Sequence, residues 1–506
     1  MRFESQKMAA GRRRVTAVAL SAALVASLCG DGRAAEPKAS RPPNIVLIYV
    51  DDLGYADIGP FGGTVPTPHL DRMAREGMRL TSHYGAPVCS PSRAALMTGC
   101  YPKRTLPTEH VLFPAAAVGL NPDEVTVAEV LKSAGYATAC IGKWHLGDQP
   151  EFLPTRQGFD TYYGIPYSND MGLAAEGSKS NLGAPLPKPQ PAKGGQAAKG
   201  GQAADGTGLR GNAQPPLPML ENEKVVARVD AVGQQKFTRE YTDRAIGFIE
   251  KNKERPFFLY LPHNAVHWPH YPAQEFVGKS KSTLLADWIM ELDAEVGRVL
   301  EAIRTAGIAE ETLVLFTSDN GGSVPHGSSN VPLRGSKGST LEGGIRVCTL
   351  AWWPKHVPES TKSGAITTMM DVLPTAAALA GVKLDPARKI DGVDIRDVLV
   401  GKIASSVNGS DHQQMKAPRY DFHYFRGMTL EAVRHGKWKL HLEKGELYNL
   451  DTDIGEAKNV AAEQPKIVEE LRAMATAMDA DLGIKGRGPG VRPLGRVENP
   501  KPLIVE

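Results

Sequence analysis

Asn44-Ile45-Val46-Leu47-Ile48-Tyr49-Val50, followed at once by Asp51-Asp52, is the stretch on which the fold turns. Seven consecutive residues, mostly apolar and β-prone and without polar alternation, fit a strand covered on both faces, as inner strands of a parallel sheet are. Ala137 to Ile141, Phe257 to Leu261 and Leu313 to Thr317 have the same texture. Helical stretches stand between these runs. Thr67-Pro68 reads as an N-cap with proline at the first helical position, opening a helix through about Gly77. Thr126 to Ser133 forms another, halted by Gly135, and Ile289, Leu292, Val296, Val299, Leu300 and Ile303 recur at helical spacing. The alternation predicts an α/β fold, a mostly parallel sheet flanked by helices on both faces.

The texture changes outward from this core. Tyr420 to Phe425, Leu430 to Arg434 and Trp438 to Leu442 alternate polar and apolar residues, and a helix is expected around Lys466 to Met478. This predicts a smaller C-terminal α+β subdomain over 415–482, after a principal domain over 42–405, with 483–506 as an irregular tail rich in Gly, Arg and Pro. Residues 177–218 interrupt the principal domain with Pro-Lys-Pro-Gln-Pro and a repeated Ala-Lys-Gly-Gly-Gln-Ala. Such a composition buries too little apolar surface to offset ordering, so a mobile surface insertion is expected there.

The chain has 506 residues, 42% hydrophobic and 23% charged, as ordinary globular proteins do, and a formal charge of +3. Residues 1–34 hold six Lys/Arg and two Asp/Glu, so the remainder carries a net charge of −1. With no long basic run elsewhere, a nucleic-acid partner is excluded. Arg12-Arg13-Arg14 precede an apolar run from Val15 to Leu28 that is short for a bilayer, so no stable membrane span is expected, and Gly32-Arg33-Ala34-Ala35 follows. Residues 1–34 therefore read as a signal peptide and the protein as exported, periplasmic or secreted. Cys89, Cys100, Cys140 and Cys348 remain after the signal, without metal-like spacing.

Two of the buried runs end in oxygen-bearing pairs, Asp51-Asp52 and Asp319-Asn320. Ligands of parallel α/β sheets lie beyond the carboxyl ends of strands. Three carboxylates and an amide at neighbouring strand ends repel unless a cation joins them, and an all-oxygen set suits Ca²⁺ or Mg²⁺ rather than zinc. Each pair taken singly also fits an ordinary turn. Cys89-Ser90-Pro91-Ser92-Arg93 stands between them, with the proline where a helix could begin and Arg93 one turn beyond. From the residues alone, Cys89 is either a small buried thiol or a group with a purpose.

Cys89-Ser90-Pro91-Ser92-Arg93 is similar to the Cys-x-Pro-Ser-Arg signature of the type I sulfatases, in which the cysteine becomes Cα-formylglycine. Asn44 to Tyr55, Gly142-Lys143-Trp144-His145-Leu146-Gly147, Thr317 to Gly321, Lys337-Gly338, Glu342 to Arg346 and Leu447-Tyr448-Asn449-Leu450 resemble further family motifs in order, over about residues 42–460. Gly164 to Asp170 points toward the arylsulfatase A-like branch. The resemblance implies an alkaline-phosphatase-like core and hydrolysis of an aryl or carbohydrate sulfate ester to inorganic sulfate and an alcohol, the partner being a small-molecule or glycan ester. It implies Ca²⁺ held by Asp51, Asp52, Asp319, Asn320 and residue 89, and a formylglycine-generating maturation enzyme that converts Cys89. It implies catalytic roles for Arg93, Lys143, His145, His267 and Lys337, with Ser168, His267 and Lys337 lining the sulfate pocket and Asp319 placed to protonate the leaving alcohol. Met97-Thr98-Gly99-Cys100 departs from the family's Leu-Thr-Gly-Arg, whose arginine aids maturation. Two rivals share these motifs: a phosphoesterase on the same fold, and an unmodified protein that only binds sulfated glycans.

Overall fold

A computed structural model describes residues 41–187, 203–403 and 417–505. The expected signal peptide, the Ala-Lys-Gly-Gly-Gln-Ala repeat and the 405/415 boundary lie outside the described residues. Asn44–Val50 is a strand with every residue buried. Ile45, Leu47 and Tyr49 enter one hydrophobic core, while Val46, Ile48 and Val50 enter a second on the opposite face. A strand whose two faces both meet a core has no room for polar alternation, which is why the run is continuous.

Among the described residues the main sheet has eleven strands. Its centre is parallel and runs Thr312–Ser318, Asn44–Val50, Phe257–Pro262, Ala137–Ile141, Thr161–Gly164. Antiparallel pairs flank this centre, Arg346–Trp352 and Met78–Tyr84 on one side and Leu217–Glu221 and Lys224–Val229 on the other, and the short strands Thr361–Ser363 and Thr367–Thr368 pair parallel with Met78–Tyr84. One core is covered by the helices Cys89–Thr98, Val127–Ser133 and Val372–Leu379, the other by Pro68–Arg75, Phe237–Asn252 and Leu284–Thr305.

The helix Val127–Ser133 starts on a capping box between Thr126 and Glu129. Pro68–Arg75 also starts where expected but is capped from elsewhere: Asp293 of the Leu284–Thr305 helix accepts from the backbone N–H of His69 and Leu70 at 3.2 and 2.8 Å. Thr67 instead accepts from Gly59 N–H at 2.9 Å.

The C-terminal alternations form an antiparallel sheet, Asp421–Arg426, Thr429–His435, Trp438–His441 and a fourth strand Glu446–Asn449, with the helix Pro465–Asp479 after it. Two expectations are corrected. Leu217 and Pro218, read as the end of the insertion, open the buried strand Leu217–Glu221. The insertion's described C-terminal part is pinned: Thr207 and Gly206 carbonyls accept from Phe113 and Ala117 N–H at 2.7 and 2.8 Å. The tail after Gly483 has little regular structure, yet Gly495–Arg496 pairs with Val118–Gly119, and Lys501 N–H donates to Gln149 at 3.0 Å.

Candidate active site

The five central strands point the same way, and the carboxyl end of each delivers a candidate residue. Thr312–Ser318 leads to Asp319 and Asn320, Asn44–Val50 to Asp51 and Asp52, Phe257–Pro262 to His267, Ala137–Ile141 to Lys143 and His145, and Thr161–Gly164 to Ser168. Backbone bonds lock these ends together. Asp319 N–H donates to Val50 O at 2.9 Å, Asp51 N–H to Ala265 O at 2.9 Å and Val266 N–H to Asp51 O at 2.8 Å. Lys143 N–H donates to Pro262 O at 2.7 Å, and the strand before it passes so close that a Cβ at Gly142 would stand 1.9 Å from Pro262 O.

The helix Cys89–Thr98 arrives from the side, beginning at Cys89 with every residue buried. Ser92 fastens it to the sheet, donating to Asp319 O at 2.5 Å and accepting from Ala86 N–H at 3.2 Å. The approach needs glycine at position 85, where a Cβ would meet Asp319 O at 2.2 Å. Cys89 Sγ then lies 3.3 Å from Asp51 Oδ1. Burial, followed by the Asp319 and Asp51 carboxylates, pushes its thiol well above the usual range. Low-pKa reactive cysteines sit among positive groups, and this one faces carboxylates as a protonated thiol.

Charges around it are paired. Lys143 Nζ bonds Asp51 Oδ2 and lies 3.1 Å from Ser168 Oγ. Lys337 Nζ donates to Asp52 at 2.8 Å. Arg93, fully buried, donates to Asp319 Oδ2 at 2.9 Å and to Lys143 O at 2.6 Å. Burial alone would raise the Asp51 carboxyl, but Lys143, then His267 and Arg93, hold it well below the carboxylate range. Lys337 and His267 hold Asp52 down against the same burial. Asp319 goes the other way: burial, with Asp51 adding, pushes it up to about 7.

Two buried acceptors have no hydrogen-bond partner, and a third faces a carboxylate. Asn320 donates its amide to Asp52 Oδ1 at 2.8 Å, and its own Oδ1 is buried without a partner. His145 meets the carbonyl of Leu112 at 2.9 Å through Nε2, which must therefore be the protonated nitrogen, and leaves Nδ1 as a buried, unpartnered lone pair. His267 meets Trp268 O through Nδ1 in the same way, so its Nε2 lone pair faces Asp52 Oδ2 at 3.6 Å. Acceptors facing acceptors fit a cation between them. Ligand atoms of Asp51, Asp52, Cys89 and His267 lie within 4.8 Å of one another, which adds His267 to the carboxylates expected around a metal. Burial, then Lys143 and Arg93, hold His145 well below the ordinary histidine range.

Residues 43–382 match the sulfatase family. The chain belongs to the sulfatases. Human arylsulfatase A is 37% identical over 86% of this chain and 87% of its own length. Mouse N-acetylgalactosamine-6-sulfatase is 34% identical over 90% and 82%. The crystal structure of Ps i-CgsB in complex with k-i-k-neocarrahexaose superposes with a TM-score of 0.70 at 30% identity, covering 86% of this chain and 93% of that one. This sulfatase is accordingly a sulfuric ester hydrolase.

Sequence reasoning missed the residues that hold this cluster in shape. Ser92 sits inside the quoted signature but has no role in that reading. Tyr49, read as core, places its hydroxyl 3.1 Å from Ser92 Oγ and its ring 5.3 Å under the Arg93 guanidinium. Cys100, the departure from the family pattern, is buried and free, with Arg492 of the tail 3.8 Å from its sulfur. Cys89, Cys100, Cys140 and Cys348 are all free, and no described helix is long and apolar enough to cross a membrane.

Proposed function

We propose that this protein is an exported, Ca²⁺-dependent sulfatase that hydrolyses aryl or carbohydrate sulfate esters with residue 89 matured to formylglycine. The observation that carries the proposal is the place of Cys89. Its sulfur lies buried 3.3 Å from Asp51 Oδ1 at the centre of the cluster, within the family's maturation signature. Burial first, then the Asp319 and Asp51 carboxylates, pushes the thiol well above its usual range, which makes it a poor nucleophile as cysteine. The hydrated aldehyde supplies one oxygen to attack sulfur and a second whose deprotonation releases sulfate.

Asp51, Asp52, Asp319, Asn320 and residue 89 in its matured form would hold Ca²⁺, an all-oxygen donor set to which the open Asn320 Oδ1 is suited, with His267 beside it. The ion supplies charge neutralisation for an anionic ester. His145 Nδ1, free of any hydrogen bond and depressed in basicity, is unprotonated at neutral pH and acts as the base that takes the proton from the releasing hydroxyl. Lys143 and Lys337 stabilise negative oxygen, as cations aimed at developing charge do. Ser168, 3.1 Å from Lys143 Nζ and 3.4 Å from His267 Nδ1, joins them in the sulfate pocket. Arg93 orients Asp319 and the Lys143 carbonyl from behind. A division into a catalytic domain over 42–405 and a subdomain over 415–482 belongs to the same reading.

The complex of the Ps i-CgsB relative with a neocarrahexaose supports a sulfated glycan as substrate class. Turnover of an aryl sulfate against the matching aryl phosphate tests the reaction. The sulfate should be hydrolysed with the higher kcat/KM, and a preference for phosphate would make the protein a phosphoesterase instead.

A further inference from the structure

Lys337 reaches the cluster from a loop, and loops do not aim a long side chain by themselves. Its four side-chain torsions are free unless the backbone that carries it is held. Lys337 is the only basic residue of the Gly335–Leu341 segment. Gly343 N–H closes the neck of this loop on Arg334 O at 2.7 Å. Within it, Lys337 N–H donates to Gly322 O at 3.2 Å and Gly338 N–H to Pro87 O at 2.8 Å.

Both sides of the neck are tied to the small C-terminal sheet and the turn after it. On the entering side, Arg334 Nη1 donates to the carbonyl of Glu456 at 2.9 Å. On the leaving side, Glu342 N–H donates to Glu456 Oε2 at 2.7 Å. Lys439, in the strand Trp438–His441, sits between them without solvent exposure. Its ammonium donates to Thr340 O at 2.8 Å and to Glu342 Oε1 at 2.9 Å, and pairs with Glu456 Oε1 at 2.8 Å. Thr340 Oγ1 donates to Glu431 at 2.7 Å from the neighbouring strand. Tyr84 and Tyr424 hydroxyls donate to the two Glu342 oxygens at 2.6 and 2.9 Å, so the buried carboxylate has no slack. A buried lysine between two carboxylates contributes little stability that well-packed apolar residues could not match. Its geometry fixes a register instead, and the register it fixes is that of the loop bearing Lys337.

We infer that Lys439, with Glu456, is a positioning residue for Lys337, so that the C-terminal sheet sets affinity for the sulfate group at a site it does not touch. The inference rests on the proposed function, in which Lys337 holds a sulfate oxygen. Apolar replacement of Lys439 frees Thr340 O and leaves the Glu342 carboxylate with Arg346 as its remaining cation, the leaving side of the loop loosens although the Gly343–Arg334 bond stays, and the Lys337 ammonium spends less time in place.

The test is a double-mutant cycle on the full-length, matured enzyme, with KM for an aryl sulfate and the inhibition constant of inorganic sulfate as readouts. Lys439→Met should raise both about tenfold with a smaller change in kcat, the coupling expected between residues of one network. The pair Lys337→Ala and Lys439→Met should be no worse than Lys337→Ala alone. Thr340→Val, which removes one tie and leaves the buried ion pair intact, should raise both constants about threefold. It serves as the partner in the cycle if Lys439→Met fails to fold. Effects that multiply in the double variant, or folded Lys439→Met with unchanged constants beside an impaired Lys337→Ala, would overturn the positioning role alone. Unchanged constants in Lys337→Ala would remove Lys337 from the sulfate pocket, and the positioning role with it.

Discussion

At the scale of single residues, the division of labour between protonated and unprotonated groups explains the site. Two nitrogen-bearing side chains two positions apart in sequence, Lys143 and His145, end up opposite in character. Lys143 lies on the Asp51 carboxylate, while His145 is pressed by burial, Lys143 and Arg93 toward the neutral form. A base must be unprotonated to act, and a depressed basicity keeps it so as the pH falls. The acidic limb of kcat should therefore lie below pH 6.5, the ordinary histidine value. His145→Ala should lower kcat about 10²–10⁴-fold with KM little changed, since the ring faces the reaction rather than the bound ester. A kcat that falls with a midpoint above the ordinary histidine value would contradict the role. Asp51, Asp52, Asp319 and Cys89 were legible as residue types because strand ends and signature placed them. The tautomers of His145 and His267 were not, since they depend on carbonyls of Leu112 and Trp268 that only the folded chain brings near.

At the scale of elements, local signals located strands and helices well where burial and periodicity agreed. The four quoted apolar runs are the strands expected of them, and Leu284–Thr305 buries the face marked out by Ile289 to Ile303. What sequence could not show were partners from distant elements. Asp293 caps another helix, and the flanking antiparallel strands belong to the sheet through pairings with no local signature. The Leu284–Thr305 helix also buries an acid away from that apolar face. Glu291 accepts from Ala273 N–H at 2.7 Å through Oε2, its Oε1 has no partner, and burial pushes it up to about 8. The folded protein thus holds a proton on Glu291 that the unfolded chain releases near its ordinary value. Where the native state binds more protons than the unfolded state, stability falls as pH rises, here between about 4.5 and 8. Glu291→Gln keeps an acceptor for Ala273 and removes the titration, so unfolding measured by denaturant should show a flatter pH dependence. The variant should be more stable than the parent at pH 8–9 by at least about 1 kcal/mol. Equal slopes in the two proteins would show that Glu291 stays ionised.

At the scale of the whole molecule, the parallel centre of the sheet gathers five strand ends into one cluster, and helix Cys89–Thr98 and the C-terminal sheet bring the rest. Three buried carboxylates gathered together are tolerable only with cations beside them, and binding an ion to the folded state alone stabilises it. Chelation should abolish activity and lower the unfolding temperature, with Ca²⁺ restoring both better than Zn²⁺. Full activity in metal-free protein would refute the oxygen cage. The central claim, however, is chemical: the active protein does not carry cysteine at position 89. Replacing the thiol-bearing carbon by an aldehyde lowers the residue mass by about 18 Da. Peptide mass spectrometry across residues 89–93, on preparations matured to different extents, measures that fraction directly. The mass loss should rise in proportion to specific activity, and full activity in protein carrying only unmodified Cys89 would contradict the mechanism.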